Sequence, residues 1–175
     1  MAHTFDLNPE ALKRQFAVYV VIATDCLSCD LYVGKTGDNR EGCNPLISRC
    51  GNHFSYNKIH SQIRNKLADH ENKHYTYVFD HFGDYLECSE TRRPLIDMIN
   101  EMERCLNQRI AKLVQGMDSC ILHNQYKGSW VSKSEKERRA IHRTPDNMAK
   151  IEHIVEAVNE KINKALHRAG ECGVN

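Results

Sequence analysis

Residues 17–23, with the sequence AVYVVIA, constrain the fold more than any other part of this chain. The run is largely β-branched and lacks polar alternation, which is typical of a strand that is covered on both faces. After a polar turn, LYVGKT at residues 31–36 predicts a second strand that pairs with the first as a hairpin. Each run contains one tyrosine, Tyr19 and Tyr32, so the hairpin places two phenols in one sheet.

The remaining elements define the fold class. Asn8 as a cap and Pro9 in the first turn predict a helix that continues to about residue 15. Periodicity and breakers predict a third strand at residues 74–82, and helices at 46–53, 59–69, 89–114 and 146–169. This order predicts an α/β protein of the α+β kind, with a small three-stranded antiparallel or mixed sheet flanked by helices. Residues 1–127 would form the main domain. Residues 128–175 would add a basic segment and a C-terminal amphipathic helix that packs on the main domain.

Composition limits the compartment and the partners. No apolar run approaches the ~20 residues that a membrane helix needs, and the polar N-terminus lacks the apolar core of a secretion signal. We therefore expect a cytoplasmic protein with no membrane partner. The eight cysteines are expected to be reduced thiols. Cys26 and Cys29 have the spacing of half a zinc site, and whether they bind zinc stays open.

The net charge of +1 is unevenly distributed. Residues 127–150 contain seven Lys or Arg against three acids, so nucleic-acid contacts outside the site are expected there. The candidate contacts are Lys127, Lys133, Lys136, Arg138 and Arg139.

Several residues near the hairpin suit the cleavage of a phosphodiester bond. Such cleavage needs an attacking water, a proton acceptor, positive charge at the phosphate and help for the leaving oxygen. Arg49 can bind a phosphate as a bidentate fork, and Lys35 can bind it as a point charge. A tyrosine or His53 can take the proton. A carboxylate would be needed to hold a divalent metal.

The long predicted helix offers two carboxylates, and helical geometry separates them. At roughly 100° per residue, Glu103 points about 60° from the centre of the apolar stripe, near Leu106. Glu101 points almost the opposite way. A carboxylate at the edge of a buried stripe needs a partner or a metal. Glu103 is therefore the predicted metal ligand, and Glu101 is predicted to lie on the surface.

Across roughly residues 16–127 the chain resembles the GIY-YIG nucleases. The order of the motifs and their strand or helix context agree with that family, which carries more weight than any single short motif. The connection before the arginine helix is longer than in compact members, and is similar to that in the restriction-enzyme and phage branches. The motifs that carry the resemblance are AVY at residues 17–19, YVG at 32–34, LISRCGNH at 46–53, MERCL at 102–106 and LHN at 122–124.

The resemblance implies a role for each matched residue. One divalent ion per site, Mg²⁺ or Mn²⁺, would sit on Glu103. Tyr19 would accept the proton of the attacking water, with Tyr32 and His53 hydrogen-bonded around it. Asn124 would brace the site. Taken singly, each residue also fits an ordinary packing or surface role, and it is their combination that favours a site.

The sequence therefore predicts an enzyme, a metal-dependent endonuclease that hydrolyses DNA. A nucleic-acid-binding module on the same scaffold that does not cut is the alternative, and a nuclease directed at RNA is a third hypothesis. The recognition sequence, a homodimeric state and the biological role (restriction, phage, repair or toxin) stay open.

Overall fold

The computed structural model of the chain describes residues 2–25, 27–37, 44–127 and 131–172. Its strands are β1 (Gln15–Thr24), β2 (Cys29–Lys35), β3 (His74–Asp84) and β4 (Cys120–Leu122). Its α-helices are α1 (Leu46–Phe54), α2 (Ser89–Leu113), α3 (Lys133–Ala140) and α4 (Pro145–Cys172). Two short 3₁₀ helices cover Pro9–Leu12 and His70–Asn72.

The strands form one mixed sheet in the order β3-β1-β2-β4. β1 pairs antiparallel with both β2 and β3, whereas β4 pairs parallel with β2. The predicted α+β class is confirmed. The predicted number of strands, three, is wrong, because the described sheet has four. The additional strand, Cys120–Leu122, has three residues, which is too few to show a period of two.

β1 is covered on both faces, as its sequence predicts. Val18, Val20 and Ile22 are buried in a core shared with α2 and α4. Tyr19 and Val21 belong to the opposite face. That second face is closed by residues of the first 3₁₀ helix, of α1 and of the turns after it, namely Ala11, Leu46, Ile63 and Leu67.

Two predicted helices differ in the structure. The first is only the 3₁₀ turn Pro9–Leu12, because β1 already begins at Gln15. Residues 59–69 form consecutive turns instead of a helix. In this stretch Asn57 Oδ1 accepts the N–H of Ile59 at 2.9 Å, a local side-chain bond of the kind that competes with helical pairing.

α3 packs against α2, and α4 packs against both α2 and the sheet. α3 begins at a capping box formed by Ser132 and Glu135. α4 contributes Ile151 and Ile162 to the same core as Ile99 of α2. Within the described ranges, every helix is too short or too polar to cross a membrane.

Candidate active site

One cavity of about 250 Å³ opens between the hairpin, α1, the following turns and α2. It brings together six of the seven predicted catalytic residues. The described residues that line it are Tyr19, Tyr32, Gly34, Lys35, Arg49, Asn52, His53, Ile59, His60, Gln62 and Glu103.

Tyr19 reaches the cavity across the neighbouring strand. It is 1% exposed and is paired in register with Gly34 of β2. Its ring lies directly over that glycine, since a Cβ at position 34 would be 2.5 Å from the Tyr19 hydroxyl oxygen. The glycine of the second motif therefore makes room for the phenol of the first.

Tyr19 and His53 form a buried hydrogen-bonded pair, with 2.8 Å between Tyr19 Oη and His53 Nε2. Burial, with a smaller contribution from Tyr32, raises the pKa of Tyr19 well above its ordinary value, and Arg49 opposes the shift. Burial, and then the Arg49 charge, lowers the pKa of His53 to about 4. At neutral pH both groups are therefore uncharged, and Nε2 of the neutral imidazole can accept the hydrogen bond of the phenol.

α1 presents Arg49 and His53 from consecutive turns. Arg49 Nε donates to the backbone carbonyl of Lys35 at 3.3 Å, which ties the helix to the end of β2. The Tyr32 ring meets the His53 ring edge to face at 5.2 Å between centroids. The imidazole is thus fixed between two phenols.

Glu103 enters the same cavity from α2. Its Oε2 accepts a charged hydrogen bond from Lys35 Nζ at 2.6 Å, and the two side chains are 28% and 14% exposed. Within the described ranges, Glu103 is the one carboxylate that lines the cavity. The same ranges contain no cluster of three or more His, Cys, Asp or Glu side chains arranged to hold a metal ion. Mg²⁺ binds many proteins through one or two carboxylates while keeping several waters, so this donor set fits such an ion.

The prediction that Glu101 lies on the surface is wrong. The residue is 1% exposed. It accepts hydrogen bonds from Arg104 and from Arg143 Nε, the latter at 2.6 Å. Burial alone would raise the pKa of Glu101, but the two guanidinium groups outweigh it and hold the pKa below its ordinary value. α2 is covered by the sheet and also by the α3–α4 connection, so its buried side is wider than one apolar stripe.

Asn124 lies outside the cavity and joins the sheet. Its Oδ1 accepts the N–H of Val33 at 3.0 Å, and its Nδ2 donates to the Val33 carbonyl at 2.6 Å. Because Val33 lies between Tyr32 and Gly34, this amide pair fixes the backbone of the second motif. Asn107 of α2 in turn donates to the Asn124 carbonyl at 2.9 Å.

The predicted nucleic-acid contacts are outside the described lining of the cavity. Arg138 and Arg139 both bind Asp97 of α2, at 3.0 and 3.2 Å. Of the remaining three, Lys136 is half-buried and two are exposed, namely Lys127 and Lys133.

Sequence reasoning missed four lining residues. Asn52 lies one turn after Arg49 on α1, and helical spacing could have identified it. Ile59, His60 and Gln62 come from the turns that were predicted as a helix, and no motif marks them.

The cysteines give no metal site in the described ranges. Cys29 is buried as a free thiol, and burial, together with the nearby thiol of Cys120, raises its pKa to about 12. Cys26, the other half of the predicted zinc spacing, lies outside the described residues.

The fold and the cavity define an α+β protein in which two phenols, an imidazole, two cations and a carboxylate meet beside a β-hairpin. No protein-family model, curated protein or solved structure significantly matches this chain.

Proposed function

We propose that this protein is a metal-dependent endonuclease that hydrolyses phosphodiester bonds in DNA. The observation that carries the proposal is one polar cavity that holds an uncharged phenol–imidazole pair, two cations and one carboxylate. Hydrolysis of a phosphodiester needs this combination of a proton acceptor, phosphate-binding charge and a metal ligand. The resemblance to the GIY-YIG nucleases supports the same assignment.

The phenol–imidazole pair would remove the proton of the attacking water. In the tautomer with its proton on Nδ1, His53 Nε2 accepts the hydrogen bond of the Tyr19 hydroxyl. The water passes its proton to Tyr19 Oη as the hydroxyl proton moves to His53 Nε2, so the tyrosine stays neutral. This route suits a phenol whose pKa is raised, because it avoids a buried tyrosinate. Tyr32 packs against the imidazole and keeps it in position.

The two cations would bind the scissile phosphate. Arg49 presents a planar fork that matches two non-bridging oxygens, and Lys35 adds a point charge. Both act in a cavity with half-buried walls, where charge stabilisation is stronger than in bulk water.

Glu103 would hold the divalent ion, Mg²⁺ or Mn²⁺. When bound, the ion supplies Lewis-acid stabilisation to the phosphate and to the leaving oxygen. Lys35 now neutralises Glu103 at 2.6 Å, so its ammonium would turn from the carboxylate toward the phosphate as the substrate enters.

Replacing Glu103 by alanine tests the proposal. With Mg²⁺ we expect the wild-type protein to nick or linearise plasmid DNA, and Glu103→Ala to lose at least about a hundredfold in cleavage rate, the scale of losing one essential charge-stabilising group. DNA binding and the far-UV circular dichroism spectrum should be retained.

Glu156→Ala is the matched control, because it removes the same charge from an exposed position of α4. It should cleave like the wild type. Retained cutting by Glu103→Ala would remove this residue from the metal site.

A wild-type protein that shifts DNA on a gel in a salt-sensitive way but does not cut would establish the binding-module alternative. Preferential cutting of RNA would establish the third hypothesis.

The form of the product addresses the biological role. Discrete bands from a mixed plasmid would indicate restriction, and a smear would indicate degradation. We propose a cytoplasmic location, and size-exclusion chromatography would distinguish a monomer from a homodimer.

A further inference from the structure

The turns at residues 55–68, here called the basic turn segment, are packed firmly at the end of α1. Ser61 and Ile63 are 0% and 3% exposed. The backbone N–H of Arg64 donates to the carbonyl of His53 at 3.1 Å. This segment is therefore held against a residue of the candidate active site, and its outward side chains have a defined position.

Large apolar side chains of the basic turn segment are nevertheless exposed. Ile59 lines the mouth of the cavity and is 76% exposed. Tyr56 is 82% exposed, and the guanidinium carbon of Arg64 lies 4.6 Å from the centre of its ring. Ile59 therefore offers apolar surface at the polar cavity, and Tyr56 offers it on the same segment.

The same segment is basic up to Asp69, which follows it directly. Its sequence, SYNKIHSQIRNKLA, contains three Lys or Arg and no Asp or Glu. Lys58 and Lys66 are exposed, and neither has an ion pair within the described part of the chain. In the C-terminal region three arginines are paired with acids, since Arg138 and Arg139 bind Asp97 and Arg143 binds Glu101, whereas Lys127 is exposed.

We propose that the basic turn segment is the surface that binds DNA beside the cavity. Lys58 and Lys66 contact backbone phosphates, while Tyr56 and Ile59 pack against sugars and base edges. Nucleic acids present charged phosphates next to less polar sugars and bases. Proteins bind the phosphates with cationic side chains and contact the sugars and bases with aromatic and apolar side chains. The inference rests on the proposed function and moves the DNA contact away from residues 127–150, where the sequence predicts it.

The first test compares two pairs of lysines in anisotropy measurements with a fluorescein-labelled DNA duplex in EDTA, which prevents cleavage. Lys58→Ala/Lys66→Ala should weaken binding about tenfold and should lower the slope of log Kd against log salt by about 2, one for each lost phosphate contact. Lys127→Ala/Lys133→Ala removes the same charge from exposed positions outside the basic turn segment. This control should bind like the wild type.

The second test separates apolar contact from charge. Tyr56→Ala should weaken binding about tenfold without changing the salt slope, because the lost contact with sugars and base edges carries no charge. Tyr56→Phe keeps the ring and should bind like the wild type. Thermal unfolding should be unchanged in both variants, since the side chain is 82% exposed.

The outcomes separate this inference from the proposed function. If the lysine pair of the basic turn segment binds DNA normally, or if the control pair is equally weakened, the inference is wrong although cleavage stands. If the wild type binds DNA through these lysines without cutting it, the proposed function is wrong and the inference stands. A stem-loop RNA that binds more tightly than the duplex would overturn the assignment to DNA.

Discussion

Glu101 and Glu103 lie two residues apart on α2 and have different surroundings. Glu101 is buried and accepts hydrogen bonds from the guanidinium groups of Arg104 and Arg143. Glu103 is 28% exposed and contacts one ammonium at the edge of an open cavity. A carboxylate that binds two guanidinium groups has a structural role, whereas a carboxylate beside a cavity can exchange its partner.

Glu101→Ala should therefore reduce stability while leaving the cavity intact. We expect the free energy of unfolding to fall by about 2–3 kcal/mol, because the substitution leaves two guanidinium groups without their partner. The half-exposed Arg143 can turn to solvent, which limits the loss. Urea denaturation measures the change.

Glu137→Ala removes a 68% exposed glutamate of α3 and serves as the control. It should change stability by less than about 0.5 kcal/mol. An equal effect of the two substitutions would contradict the buried network.

His53 should make stability depend on pH. Its pKa is about 4 in the folded protein and 6.5 when unperturbed, so the unfolded chain binds the proton first as pH falls. The His53 contribution is present above pH 6.5 and is lost as pH falls to about 4, amounting to up to about 3 kcal/mol.

His53→Gln supplies the comparison, since the amide can hydrogen-bond to Tyr19 but does not titrate. The difference in unfolding free energy between wild type and variant, measured by urea denaturation from pH 7 to pH 4, should shrink over this interval. A constant difference would show that His53 is not buried as a neutral group.

At the scale of elements, pattern length decides what the sequence could predict. Six elements are long enough for their sequence patterns to predict them, namely β1, β2, β3, α1, α2 and α4. β4 has three residues and gave no signal. The turns at 59–69 carry Ile63 and Leu67 at helical spacing, but the spacing reflects burial against β1. Whether such a segment forms a helix or turns depends on the elements that pack against it. A single sequence does not show which elements those are.

The hairpin depends on the close contact between Gly34 and Tyr19. Gly34→Ala would place a Cβ 2.5 Å from the phenol oxygen, so the ring must shift from the position in which it bonds to His53. We expect a loss of about 1–3 kcal/mol in unfolding free energy, as for overpacked cores. Plasmid cleavage should fall as well.

Gly51→Ala is the matched substitution on α1, where an added Cβ meets nothing within 4 Å. It should stabilise the protein by about 0.5–1 kcal/mol through helix propensity. Normal cleavage by Gly34→Ala would show that the phenol need not lie over the glycine.

At the scale of the whole molecule, α4 shares a core with α2 and the sheet. The sequence places α4 in the predicted C-terminal region, which begins at residue 128, outside the predicted main domain. The order of the motifs predicts which residues meet in the cavity. The sequence does not show that the turns after α1 form one of its walls, because no local pattern encodes that contact.

Ile162→Ala tests whether α4 unfolds together with the sheet. Ile162 is fully buried, so we expect a loss of about 2–5 kcal/mol, similar to that of Ile99→Ala on α2. Urea unfolding should keep one transition. A separate early transition in Ile162→Ala would mean that α4 is an independent unit.

The strand order β3-β1-β2-β4 has a consequence for how the molecule opens. β1 is paired on both sides by β2 and β3, whereas β2 is covered by β4 only over residues 29–31 and beyond them by the Asn124 amide on Val33, so fraying that starts at either edge reaches β3 or β4 first. Small fluctuations at the rim of the sheet therefore leave Tyr19 and Tyr32 in register. The pair should separate only when the whole sheet comes apart.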